Sequence, residues 1–130
     1  MSGYTVASRT DATDWMAGYP GFGEMRHYPE ALGSEQIAFS WRLMPPDTGG
    51  RGSYGHRHPG QEEIYLVMAG KLTFKVGDEV FEAEPHTAVR MTGEDFYSVH
   101  NDSDAEAEVV IISTRLEEPQ TERAEDFWPS

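Results

Sequence analysis

The stretch from Gly50 to Gly70, GRGSYGHRHPGQEEIYLVMAG, constrains the fold of this chain more than any other feature. It places His56, His58 and Glu63 at the start of an apolar and aromatic run that is typical of a strand. Because successive side chains of an extended segment point to opposite faces, the two histidines share one face. The proline-glycine pair at 59–60 predicts a turn that brings Glu63 back towards them. We therefore expect two imidazoles and a carboxylate to converge, as in metal sites that keep open coordination positions.

This spacing resembles the first motif of the cupin family. The motif consists of a glycine, a His-x-His pair, a glutamate and a closing glycine, and it is satisfied by Gly50, His56, His58, Glu63 and Gly70. The resemblance implies an all-β fold, a single small antiparallel β-barrel of the jelly-roll or double-stranded β-helix type. It also implies that the functional site lies inside the mouth of the barrel.

The second cupin motif departs from the family pattern at its metal ligand. In the family, three residues separate the ligand histidine from the final asparagine. Counting back from Asn101 places Tyr97 at the position of that histidine. His100 is the alternative donor, but in an extended segment it points away from the face of Tyr97 unless a bulge shifts the register. We expect Tyr97 to face the site, where it ligates the metal, hydrogen-bonds a metal-bound water or fills the pocket.

What the resemblance implies for function is a divalent metal, Mn, Fe, Zn or Ni, held by His56, His58 and Glu63 with Tyr97 as a provisional fourth ligand. One hypothesis is a metal-dependent enzyme of the dioxygenase or isomerase type that acts on a small, anionic molecule. The alternative is a non-enzymatic cupin that binds a small ligand without a stable metal. A third reading is a structural or partner-binding module. The sequence does not choose among them.

Charge and composition narrow the partners. The chain has 10 Lys and Arg against 23 Asp and Glu, a net charge of −13, which argues against nucleic acid and anionic membranes as partners. It has no cysteine, so any metal must use nitrogen and oxygen ligands. No signal-peptide pattern and no membrane-length apolar run is visible in the sequence. We expect a cytoplasmic protein that binds a small molecule.

The pattern along the 130 residues predicts one domain, residues 1–130. An irregular N-terminal arm covers residues 1–35, the barrel core about 36–116, and an acidic C-terminal tail 117–130. The glycine-rich segment 47–55 is predicted to be a mobile loop. Strands are predicted at 37–44, 64–68, 72–76, 80–82, 87–91, 96–100 and 108–115.

The strand after Glu63 also predicts assembly. Tyr65 and Val67 share the face of Glu63, which leaves Ile64, Leu66 and Met68 on the other face. Three apolar side chains in a row call for cover by the N-terminal arm, by a second subunit or by both. We expect a homodimer.

Overall fold

The computed structural model describes residues 3–129; Met1, Ser2 and Ser130, the outermost residues of the predicted domain, lie outside this range. Within this range almost all of the regular secondary structure is strand. The exceptions are one short 3₁₀ helix (Arg9–Asp11) and one short α-helix, α1 (Pro29–Leu32). No helix in this part of the chain is long and apolar enough to cross a membrane. The strands are β1 (Thr13–Asp14), β2 (Glu24–His27), β3 (Ile37–Met44), β4 (Thr48–Gly49), β5 (Ser53–Arg57), β6 (Glu63–Ala69), β7 (Leu72–Val76), β8 (Glu79–Ala83), β9 (Ala88–Met91), β10 (Tyr97–Asn101), β11 (Ala107–Thr114) and β12 (Glu122–Trp128).

The strands form two antiparallel sheets. The first sheet has the order β1-β2-β3-β11-β6-β9, and the second has the order β12-β5-β10-β7-β8 with β4 paired to β10. Their inner faces enclose an apolar core that includes Met44, Val67, Leu72, Phe74 and Val109, each with 0% of its surface exposed. Alternation along β6 gives the core its residues, because every second side chain points inwards. The predicted all-β jelly-roll barrel is confirmed.

The predicted strands agree closely with those observed. β3 and β7 have the predicted bounds, and the other five predicted strands differ from the observed ones by one residue at one or both ends. The prediction of a mobile loop at 47–55 is wrong, because β4 and the start of β5 lie there. The glycines serve close packing instead: a β-carbon at Gly49 or Gly50 would overlap Val99 or Ser98 of β10.

Both ends of the chain extend the sheets beyond the predicted core of 36–116. In the N-terminal arm, β2 pairs with β3 over four register positions from Glu24 to His27. In the acidic tail, β12 pairs with β5, with Arg123 opposite His56. Each segment thus extends one side of a sheet, β2 beside β3 and β12 beside β5, and this places side chains of both segments at the site described below.

The outer face of the first sheet carries an apolar patch of Ile64, Leu66 and Met68 on β6 with Val110 and Ile112 on β11. Register pairing sets Ile112 beside Ile64 and Val110 beside Leu66. Three of them are well exposed: Ile64 at 37%, Met68 at 43% and Ile112 at 38%. The arm covers neighbouring β3 instead, where Tyr28 stacks on Phe39 with ring centroids 4.7 Å apart.

We predict that a homodimer buries this apolar patch, because a stable interface of about 1,200 to 2,000 Å² needs a dry apolar centre. Replacing Leu66 by Lys would bury an ammonium there at a cost of several kcal/mol unless it finds a partner. Light scattering should give a dimer for the unmodified chain and a monomer for Leu66→Lys. Val80→Lys is the control, since Val80 is exposed on β8 of the other sheet. A monomeric unmodified chain at micromolar concentration would contradict the prediction.

Candidate functional site

A cavity of about 740 Å³ lies between the two sheets at one end of the barrel. Its wall includes His56, His58 and Glu63, so the structure brings these three sequence-predicted residues together around one space. This volume lies in the range of about 300 to 1,000 Å³ that is usual for small-molecule sites. The cavity is the main candidate for a functional site in the part of the chain that the structure describes.

The turn between β5 and β6 sets the three side chains, as the sequence predicted. Gln61 N–H donates to the His58 carbonyl at 3.1 Å, and Gly60 adopts a φ of +75° that few other residues accept. The rings of His56 and His58 lie with centroids 5.0 Å apart. His58 Nε2 lies 3.8 Å from Glu63 Oε1, too far for a direct hydrogen bond.

His58 is held from behind by the C-terminal tail. Its Nδ1 lies 3.1 Å from the carbonyl oxygen of Gln120 and 3.1 Å from Thr121 Oγ1. A carbonyl oxygen only accepts, so the first contact is satisfied when Nδ1 carries the proton. With the proton on Nδ1 alone, the lone pair of Nε2 faces Glu63. Two acceptor atoms therefore face each other across a gap that suits a donor or a cation.

His56 is held as a neutral imidazole. Burial lowers the pKa of His56 to about 4, and the positive charges of Arg42, Arg123 and a protonated His58 act in the same direction. Its ring packs on that of Tyr97, with centroids 4.7 Å apart. At neutral pH this residue is uncharged and offers one nitrogen lone pair.

Tyr97 lies beneath the site rather than at its surface. It is 1% exposed and does not line the cavity. Its hydroxyl donates to Glu63 Oε1 and lies 3.2 Å from the hydroxyl of Tyr65. Burial raises the pKa of both phenols, so they remain protonated. Tyr97 thus hydrogen-bonds the carboxylate that the sequence assigns to a metal.

His100 lies outside the site, as strand alternation predicted. It is 5% exposed on β10, and its Nε2 contacts Asp47 Oδ1 at 3.0 Å. Its Nδ1 accepts from the backbone N–H of Arg51 at 3.2 Å. These contacts tie the segment around β4 to β10. His100 therefore has a structural role in the part of the fold described here.

The arrangement does not fit a resident metal. Across residues 3–129, no three His, Asp or Glu side chains are placed to share one ion. Glu63 Oε1, the oxygen nearest His58, already accepts the hydroxyl of Tyr97. The pair His58 and Glu63 faces a common gap, whereas His56 packs on Tyr97. Imidazole nitrogens and a carboxylate are suitable ligands for a divalent metal. In this arrangement, however, only two potential ligands, His58 and Glu63, face the same gap.

Sequence reasoning missed the residues that the two chain ends bring to the cavity. Trp15 stacks on His27 with centroids 4.1 Å apart, and His27 Nδ1 contacts Ser40 Oγ at 2.8 Å. From the tail, Arg123 lies over the ring of Tyr54 at 3.7 Å. No local pattern announces these contacts, since each joins segments that are distant in sequence. The aromatic content of the arm was the one available signal.

Comparison with known proteins identifies the family. The family model described as "Cupin domain" matches residues 42–113. No curated protein is similar enough to count as a match.

Solved structures share the fold at low sequence identity. A sugar phosphate isomerase of the cupin superfamily from Silicibacter pomeroyi is 18% identical, with a TM-score of 0.75 over 92% of this chain and 81% of that one. A predicted oxalate decarboxylase from Thermotoga maritima is 22% identical, with a TM-score of 0.67 over 86% and 100%. The polyketide cyclase RemF from Streptomyces resistomycificus is 14% identical, with a TM-score of 0.69 over 89% and 83%. At these identities the likeness concerns the fold alone. The family is shown by the matched family model, together with the two sheets and the first-motif residues: the chain belongs to the cupin family.

Proposed function

We propose that this chain binds a small molecule in the cavity beside His58 and Glu63. The observation that carries the proposal is the facing pair of acceptors, His58 Nε2 and Glu63 Oε1, 3.8 Å apart on the wall of a space of about 740 Å³. A ligand hydroxyl or amino group between them would donate to one or both atoms. Trp15 and Tyr54 add apolar ring surface to the lining of the same cavity.

The surroundings favour a ligand with a polar head and a flat or apolar body. Polar groups converge at one wall, while the stacked Trp15 and His27 form another. Related structures carry the names of an isomerase, a decarboxylase and a cyclase, which all act on small organic molecules. This common feature supports a small organic ligand and leaves the reaction open.

Ligand-observed NMR with a panel of neutral alcohols, phenols and amides tests whether the chain binds a small molecule. We expect hits whose affinity falls about tenfold in Glu63→Gln and in His58→Gln, because each change removes or turns an acceptor. Glu62→Gln is the matched control, since Glu62 is the adjacent carboxylate, exposed and paired with Arg90. Equal binding by Glu63→Gln and Glu62→Gln, or no hit at all, would contradict the proposal.

The metal assignment to His56, His58, Glu63 and Tyr97 remains a second candidate. The observation in its favour is the neutral state of His56 together with the Nε2 lone pair of His58. The hydrogen bond from Tyr97 opposes it, because an ion would compete with the hydroxyl for Glu63. When bound, a divalent ion would supply a Lewis acid to the ligand.

Competition between Tyr97 and a metal gives a second test. Tyr97→Phe frees the carboxylate of Glu63 from a hydrogen bond of about 1.5 kcal/mol, so Mn²⁺ affinity measured by calorimetry should rise about tenfold. Tyr97→His should raise it further, because it adds an imidazole donor. Tyr65→Phe is the control, since its hydroxyl contacts Tyr97 and not Glu63. Unmodified protein purified without chelator that contains stoichiometric metal, or equal Mn²⁺ affinity in all variants, would refute the competition.

A further inference from the structure

Arg42 is a partly buried cation that has no hydrogen-bond or ion-pair partner among residues 3–129. It lies on β3, in register with Met25 on one side and the fully buried Val109 on the other. Although the residue as a whole is partly accessible, its Nε atom is shut off from solvent and has no hydrogen-bond partner among residues 3–129. Burial lowers the pKa of Arg42 without removing the charge of a guanidinium. Buried charges in proteins are normally paired, so this one calls for an explanation.

The isolation of Arg42 is specific to this residue. Every other arginine, all of them within the described range, forms an ion pair with a carboxylate. The pairs are Arg9 and Arg26 with Glu24, Arg51 with Asp102, Arg57 with Glu122, Arg90 with Glu62, Arg115 with Glu30, and Arg123 with Glu125. In a chain with a net charge of −13, carboxylates are plentiful. The fold nevertheless supplies none to the one arginine inside the barrel.

Arg42 lines a second cavity of about 130 Å³ that also includes the side chains of Ser53 and Ser98. Three residues, Tyr54, His56 and Tyr65, line both this cavity and the larger one. The two spaces therefore adjoin across a shared wall. Arg42 itself lines only the smaller space, so a ligand that reaches Arg42 from the larger cavity has to extend between these shared residues.

None of the groups around Arg42 balances its charge. Tyr65 stays a neutral phenol because burial raises its pKa, and His56 stays a neutral imidazole because burial lowers its pKa to about 4. Ser53, Ser98 and Tyr54 carry hydroxyls that donate or accept hydrogen bonds. The small cavity thus holds one positive charge and several hydroxyl groups, the composition of a site for an anion.

We propose that Arg42 binds the carboxylate of a small organic acid whose remaining atoms occupy the larger cavity; this inference rests on the proposed ligand site. The Nε and Nη groups of a guanidinium form a fork that matches the two oxygens of a carboxylate. One carboxylate balances the single charge of Arg42. A phosphate dianion would leave an excess negative charge inside a barrel that already buries Glu63.

The test compares matched acids and amides by calorimetry at neutral pH and fixed ionic strength. The probes are benzoate with benzamide and phenylacetate with phenylacetamide, together with inorganic phosphate. We expect each acid to bind about tenfold or more tightly than its amide, because only the acid forms charged hydrogen bonds to the guanidinium. Phosphate should bind more weakly than the acids.

Two variants of Arg42 assign the effect. Arg42→Met should abolish the preference for acids and leave amide affinity within about twofold, because Met keeps an unbranched apolar stem. Arg42→Lys should retain part of the preference, since it keeps the charge and loses the fork. Arg90→Met is the control, because it makes the same change of net charge at an exposed ion pair. Arg123→Met tests an arginine that lines the larger cavity.

Protein stability provides an independent readout. Without ligand, Arg42→Met should raise the melting temperature, because it removes an unpaired buried charge. A fall in melting temperature, or failure of both Arg42 variants to fold, would show a structural role and overturn the proposal.

The binding outcomes separate the two proposals. Equal affinity for acid and amide, or loss of the preference in Arg123→Met with its retention in Arg42→Met, overturns the role of Arg42 and leaves the ligand site standing. Arg42-dependent binding of phosphate that exceeds binding of the acids overturns the assignment to a carboxylate. Failure of the acids and the amides alike to bind contradicts the ligand site and the role of Arg42 together.

Discussion

The hydrogen bond from Tyr97 to Glu63 joins the two sheets at the base of the cavity. Glu63 begins β6 of the first sheet and Tyr97 begins β10 of the second. Glu63 is 8% exposed, and a carboxylate at such depth needs a donor, because an unsatisfied buried polar group costs about 1 to 3 kcal/mol and a charged one costs more. The phenol supplies that donor, and its ring also supports His56 and Tyr65. The polar wall of the site depends on this contact.

The distribution of charge runs opposite to the composition. The chain carries a net charge of −13, yet Arg42 lies inside the barrel and Arg123 lies at the wall of the cavity. An acidic surface slows the approach of an anion from solution. Attraction inside the site therefore has to come from short-range contacts with a desolvated guanidinium, where screening by water and salt is weak.

The ends of the chain complete a site that the family motif only begins. The family match covers residues 42–113, but Trp15, His27 and Arg123 at the cavity lie outside it. Gln120, also outside it, orients His58 by accepting from its ring. Strand β2 carries His27 and strand β12 carries Arg123, while Trp15 directly follows β1 and Gln120 lies just before β12. The proposed ligand site thus includes segments outside the family match, and likeness of fold says little about the ligand.

The sequence by itself predicted the barrel and a common location for His56, His58 and Glu63, which line one cavity. Strand-forming residues and the turn residues that bound them predicted β3 and β7 with their observed bounds. The spacing from His56 to Glu63, with its turn, predicted that these side chains lie near one another, because spacing and turns are local properties of the backbone. Alternation also separated His100 from the site.

Tertiary structure decided everything that depends on contacts between distant segments. The segment 47–55 looks flexible in sequence, yet Gly49 and Gly50 pack on β10, since closeness to another strand leaves no trace in local composition. Tyr97 stands at the ligand position of the motif, but the other sheet turns its hydroxyl to Glu63. The fold decided that Arg42 lies in register with the buried Val109, and it also left Arg42 without a partner among residues 3–129. Ion pairing is a property of the whole fold. The chain has many carboxylates that could pair with Arg42, but within residues 3–129 the packing of the two sheets places none of them beside it.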